Sequence, residues 1–169
     1  MYVFSVDDNS FYWTITYTLY LLEKVLRLRS IVIDADASPA GLIAWYNHSN
    51  QKKIIRIVRP TVKNQRFGVQ RMEMLAIYFA IADNLKDIIK STKRRKYRHH
   101  VVVSVRSDSK STVDQLRGIS QIRDMLIHRI FSTISRIVAK TKCLVTFQHL
   151  ERSRNIAGLL MEQRGRMEL

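Results

Sequence analysis

Ile31-Val32-Ile33-Asp34-Ala35-Asp36 is the stretch on which the fold turns. Its β-branched start favours a strand, and its lack of apolar–polar alternation predicts burial on both faces, central to a sheet. Outward from it, residues 41–47 and 52–59 flank the polar turn His48-Ser49-Asn50, which predicts a hairpin closed by Pro60. Met72, Leu75, Ala76, Phe79, Ala80, Leu85, Ile88 and Ile89 recur at helical spacing over 69–90. Val101-Val102-Val103-Ser104-Val105 reads as a second buried strand. Helices follow near 111–117, closed by Gly118, and over 121–139; a strand at 144–147 and a helix from Asn155 complete the chain. The order βββαβααβα predicts an α/β fold: an antiparallel meander extended by parallel strands to a mixed five-stranded sheet, with helices on both faces.

The 169 residues are 46% hydrophobic and 25% charged, an ordinary globular mix that excludes disorder, and the single Cys143 excludes an internal disulfide. Lys and Arg number 29 against 14 Asp and Glu, a net charge of +15 that favours polyanions, nucleic acid foremost. Residues 1–29 are neutral and hold seven of the fifteen aromatic side chains, so they are read as an extension that packs on the main domain, 30–169, or on a protein partner. Phe11 to Leu22 is interrupted by three threonines and falls short of the roughly 20 residues a membrane span needs. No secretory or mitochondrial leader pattern precedes it, so an intracellular chain, cytoplasmic or nuclear and without a membrane partner, is expected.

Because acidic residues are scarce, their positions carry information. Asp34 and Asp36 lie two apart on one strand and share a face, where a buried carboxylate is costly unless paired or metal-bound. Glu73 falls in the first turn of a helix that is otherwise apolar on that side, and Asp108 just past the valine strand. The carboxyl ends of parallel strands are where ligands bind in open α/β sheets, and carboxylates converging there suit a hard cation.

Four segments together resemble the ribonuclease H family over about residues 30–165: Asp36-Ala37-Ser38 with Gly41 after it, Arg71-Met72-Glu73-Met74-Leu75-Ala76, Ser107-Asp108-Ser109-Lys110, and His149-Leu150-Glu151-Arg152-Ser153-Arg154-Asn155-Ile156-Ala157. The Asp-Ala-Ser wording is nearest to ribonuclease H domains of reverse transcriptases and retroelements. The resemblance implies a two-metal endonuclease hydrolysing the RNA strand of RNA–DNA hybrids, with two Mg2+ ions, or Mn2+ as substitute. On that reading Asp36 bridges the ions, Glu73 and Asp108 share them, and Asp34 is a reserve ligand. His149, on a mobile loop after the last strand, shuttles a proton. The chain departs from the family at Gly158, where a fourth acid is expected, and Glu162, four residues on, is the candidate substitute. The short link between the two middle helices leaves no room for a basic handle loop.

Donors near Ser38 and from Asn64 and Arg66 to Gln70 are expected to read the 2′-hydroxyl that marks RNA. Lys93, Arg94, Arg95, Lys110, Arg152 and Asn155 are the remaining nucleic-acid candidates, for phosphate contacts or for fixing the closing loop. Two other readings stand beside the nuclease: a catalytically retired module binding hybrid or structured RNA in a larger assembly, and a different nuclease or strand-transfer enzyme of the same superfold.

Overall fold

The computed structural model describes residues 29–39, 41–58, 68–93, 101–141 and 143–167. Strands β1 (Arg29–Ala37), β2 (Leu42–Asn47) and β3 (Lys52–Ile57) precede helix α1 (Val69–Lys93). Strand β4 (Val101–Ser107), helices α2 (Lys110–Leu116) and α3 (Met125–Thr141), strand β5 (Leu144–His149), a 3-10 turn at Arg152–Arg154 and helix α4 (Ile156–Met167) follow. The sheet order is β3-β2-β1-β4-β5. β1–β2 and β2–β3 are antiparallel, while β1–β4 and β4–β5 are parallel. The expected architecture is the one observed, with β1 at the centre.

Alternation along β1 divides its side chains between two layers. Ile31, Ile33, Ala35 and Ala37 join the main core with Met72, Ile77 and Ile81 of α1 and Ile127 and Ile134 of α3. Asp34 and Asp36 face α4 instead, beside a smaller cluster of Ala44, Ala157 and Met161. Burying each large aliphatic side chain contributes roughly 1.5–3 kcal/mol, so the α1 face dominates the stability of the sheet.

Element ends differ from expectation for identifiable reasons. β4 and β5 each run two residues further, because Arg106 pairs with Gln148 and Ser107 with His149 in the ladder. α3 starts at Met125, not 121: the Asp124 carboxylate accepts the N–H groups of Leu126 and Ile127 at 2.9 and 3.0 Å and is itself held by Arg71. α1 begins at Val69 as expected and runs on to Lys93, and Glu73, its fifth residue, lies in the second turn rather than the first.

The turn from β1 to β2 holds one wall of the site in place. Ser38 and Leu42 bond backbone to backbone at 2.8 Å, and Gly41 adopts φ +85. A Cβ at Gly41 would lie 2.9 Å from the Val58 carbonyl oxygen, so this position admits only glycine without rearrangement. Among the described residues no helix is long and apolar enough to cross a membrane. The aromatic-rich segment 1–28, Pro60, Asn64, Arg66, Arg94 and Arg95 lie outside the described residues, as does the side chain of Lys93.

Candidate active site

Asp36 is the penultimate residue of β1, Asp108 follows β4 directly, and α1 crosses beside them carrying Glu73. One carboxylate oxygen from each of Asp36, Glu73 and Asp108 lies within 4.8 Å of the others. Parallel pairing of β1 with β4 produces this meeting, since it puts the carboxyl ends of both strands at one rim. Asp36 and Glu73 are 4% and 6% exposed; Asp108 is half-buried.

Burial pushes the Asp36 carboxyl from its ordinary 3.8 up to about 7, and the charge of Asp108 adds to the rise. The Ala37 N–H, 2.9 Å from Asp36 Oδ1, and the positive charge of Arg152 act in the opposite direction. Glu73 rises from 4.5 to about 8, first through burial and then through the charges of Asp36 and Asp108. The Ser107 hydroxyl, 3.4 Å from Glu73 Oε2, offsets part of that rise. Among the described residues no Lys or Arg forms an ion pair with any of the three. An all-oxygen set of crowded carboxylates with no ion-paired cation among the described residues fits a hard divalent cation.

Asn155 supports the trio from beneath. Fully buried, it donates from Nδ2 to Asp108 Oδ1 and to the Ala35 carbonyl, both at 3.1 Å, and so ties the β4 end to β1. A cavity of about 250 Å3 opens over Asp36, Glu73 and Asp108, walled by Ser38, Arg152, Gly158 and Glu162. Gln70 lines a second cavity that shares Glu73 and Asp108. Ser38 Oγ accepts the Leu42 N–H at 3.3 Å, and Lys110 is exposed at the start of α2.

Three assignments require correction. Asp34 is no reserve ligand: fully buried, it accepts from Arg106 Nε at 2.7 Å, from Ile156 N–H at 3.3 Å and meets His48 Nε2 at 2.8 Å, so its charge is already neutralised. Glu162 does not join the trio; its Oε1 accepts from Arg152 Nη2 at 3.1 Å. His149 is the last residue of β5 rather than part of a loop, exposed, with Nε2 3.2 Å from the Asp108 carbonyl oxygen. The His48–Asp34–Arg106 cluster was missed because the register that places Arg106 beside Asp34 arises only from long-range pairing. The two-residue offset between Arg106 and Asp108 was the available signal.

No protein-family model and no curated protein matches the chain. Solved structures do. The N-terminal RNase H domain of a Mycobacterium tuberculosis protein, fused to maltose-binding protein, aligns with TM-score 0.57 and 14% identity, over 76% of this chain and 92% of that one. LC11-RNase H1 in complex with an RNA/DNA hybrid gives TM-score 0.54 and 19% identity over 78% and 91%. RNase H1 from the halophilic archaeon Halobacterium salinarum gives 0.54 and 14% over 76% and 90%. By these alignments, and with its mixed five-stranded sheet, the chain has the ribonuclease H-like fold.

Proposed function

We propose that the chain is a metal-dependent endonuclease that hydrolyses the RNA strand of RNA–DNA hybrids. The observation that carries this reading is the convergence of Asp36, Glu73 and Asp108 at the carboxyl ends of β1 and β4, under an open cavity. Magnesium suits three carboxylates, with manganese as substitute. A divalent cation bound there supplies an activated water and neutralises charge on the scissile phosphate.

The chain's own side chains do the rest. Asn155 fixes Asp108 in orientation, and His149 is the candidate proton carrier at the exposed rim. Ser38 and Gln70 border the two cavities from which the 2′-hydroxyl would be read. The net charge of +15 supports phosphate contacts along the flanking strands, to which Arg66, Lys93, Arg94 and Arg95 are assigned, while Asn64 stays a candidate donor to the 2′-hydroxyl. The Asp36-Ala37-Ser38 wording supports a ribonuclease H of the reverse-transcriptase or mobile-element type acting inside the cell.

Gly158 favours a second reading, a hybrid-binding module without turnover. One experiment separates the two: a hybrid with labelled RNA strand is incubated with the protein in Mg2+, in Mn2+ and in EDTA, beside duplex DNA and single-stranded RNA. Metal-dependent cleavage of the hybrid alone, lost in Asp36→Asn while hybrid binding persists, supports the nuclease. Tight hybrid binding with no cleavage in Mn2+ supports the module. Cleavage of duplex DNA would refute both.

A further inference from the structure

We propose that Arg152 supplies the second positive charge of this site, so that Asp36, Glu73 and Asp108 hold one divalent ion where the ribonuclease H resemblance implies two. The inference rests on the nuclease reading above and concerns how this chain carries it out.

The argument begins at position 158. A Cβ built on Gly158 would lie 2.5 Å from Asp36 Oδ2 and 3.4 Å from Asp36 Cγ, so α4 packs its backbone directly against that carboxylate. No side chain fits between α4 and Asp36 while Asp36 keeps its place beneath it. Any side chain at 158 therefore requires the Asp36 carboxylate to shift, so an acidic residue there would displace the ligand it was meant to assist. One turn further on, Glu162 offers a carboxylate, but Arg152 already holds it. Two independent features thus remove the fourth ligand from the α4 side of Asp36.

What occupies that side is a guanidinium. Arg152 lines the same cavity as Asp36, Glu73, Asp108 and Gly158, and its charge interacts with both Asp36 and Asp108. Its side chain is 74% exposed, held by a single bond to Glu162, and so is free to turn onto an incoming phosphate. A guanidinium binds phosphate oxygens through two parallel N–H groups and stays charged at every working pH. It would also repel a second cation from that flank of Asp36.

The test counts Mn2+ bound to the full chain, by calorimetry and by electron paramagnetic resonance. The protein is measured free and saturated with a hybrid whose RNA strand is 2′-fluoro substituted to block cleavage. One ion per chain in the complex is the expected result. Two ions overturn the inference and leave the nuclease reading intact; none overturns the nuclease reading itself.

Arg152→Gln is then compared with wild type. Relieved of the guanidinium's repulsion, the site should bind Mn2+ at least as tightly as wild type, with hybrid affinity roughly tenfold weaker and the salt dependence of binding shallower by about one phosphate contact. Arg152→Lys should restore the salt dependence, because it restores the charge. Unaltered hybrid affinity in Arg152→Gln, or loss of Mn2+ binding in it, overturns the inference.

Discussion

Asp36→Asn should make the metal-free protein more stable at pH 8 and insensitive to Mn2+. In the fold the Asp36 carboxyl lies at about 7 against an ordinary 3.8, mainly through burial. Keeping it ionised at pH 8 therefore costs the folded state up to about 4 kcal/mol relative to the unfolded chain. Asparagine has the same shape and retains an oxygen to accept the Ala37 N–H. Its amide nitrogen can face Gly158, where no Cβ intervenes. Glu73 also benefits, since the charge of Asp36 is the second cause of its own raised value. Allowing for relaxation and the lost polar contacts, a gain of about 1–3 kcal/mol is expected, or roughly 3–10 °C in Tm for a chain of this size. At pH 5 most of that gain should vanish, because folded wild type is already protonated at Asp36.

Mn2+ should reverse the order. Saturating it a hundredfold over its Kd stabilises wild type by about 2.7 kcal/mol, whereas the variant lacks a central ligand and gains almost nothing. The assay is a thermal melt of both proteins at pH 5 and pH 8, in EDTA and in Mn2+. The reasoning is refuted if Asp36→Asn melts lower than wild type in EDTA at pH 8, or if its melt still rises with Mn2+.

Four further outcomes follow from the same geometry. Asp36 and Glu73 are both raised above their unfolded values, so metal-free stability should be fully present below about pH 4 and decline as pH rises through 7 and 8; Mn2+ affinity, titrated calorimetrically, should climb across the upper part of that window. Gly158→Ala should weaken Mn2+ binding several-fold by pushing Asp36 aside, with the intrinsic helix gain of about 1 kcal/mol offsetting part of the clash in a denaturant titration. Asp34→Ala should cost about 3–5 kcal/mol in urea unfolding, because Arg106 is left without its buried partner, while the folded fraction still binds Mn2+. Gln51 sits at φ +56 in an exposed turn, and Gln51→Gly should raise stability by about 0.5–1 kcal/mol without altering hybrid binding.

Much of this protein is written locally. The run from Ile31 to Asp36, the helical spacing of Met72 to Ile89 and the valines of β4 are each decided by neighbours within a few residues. Element order, the central position of β1 and the mixed sheet were accordingly readable from the chain. So was the candidacy of Asp36, Glu73 and Asp108, because carboxylates stand out in so basic a sequence and their types and order carry the ribonuclease H resemblance.

What the chain could not disclose depends on groups far apart in sequence. Asp34 and Asp36 look equivalent on paper, two residues apart on one face. Only parallel register with β4 brings Arg106 to Asp34, and only the hairpin turn brings His48 there, so one aspartate is neutralised while the other stays available. Likewise Gly158 reads as a missing acid, whereas in the folded protein α4 approaches so closely that Asp36 itself fills the space. Local composition thus determined which residues can carry charge; tertiary packing, by burying those carboxylates and selecting their neighbours, decided which of them keep that charge for chemistry.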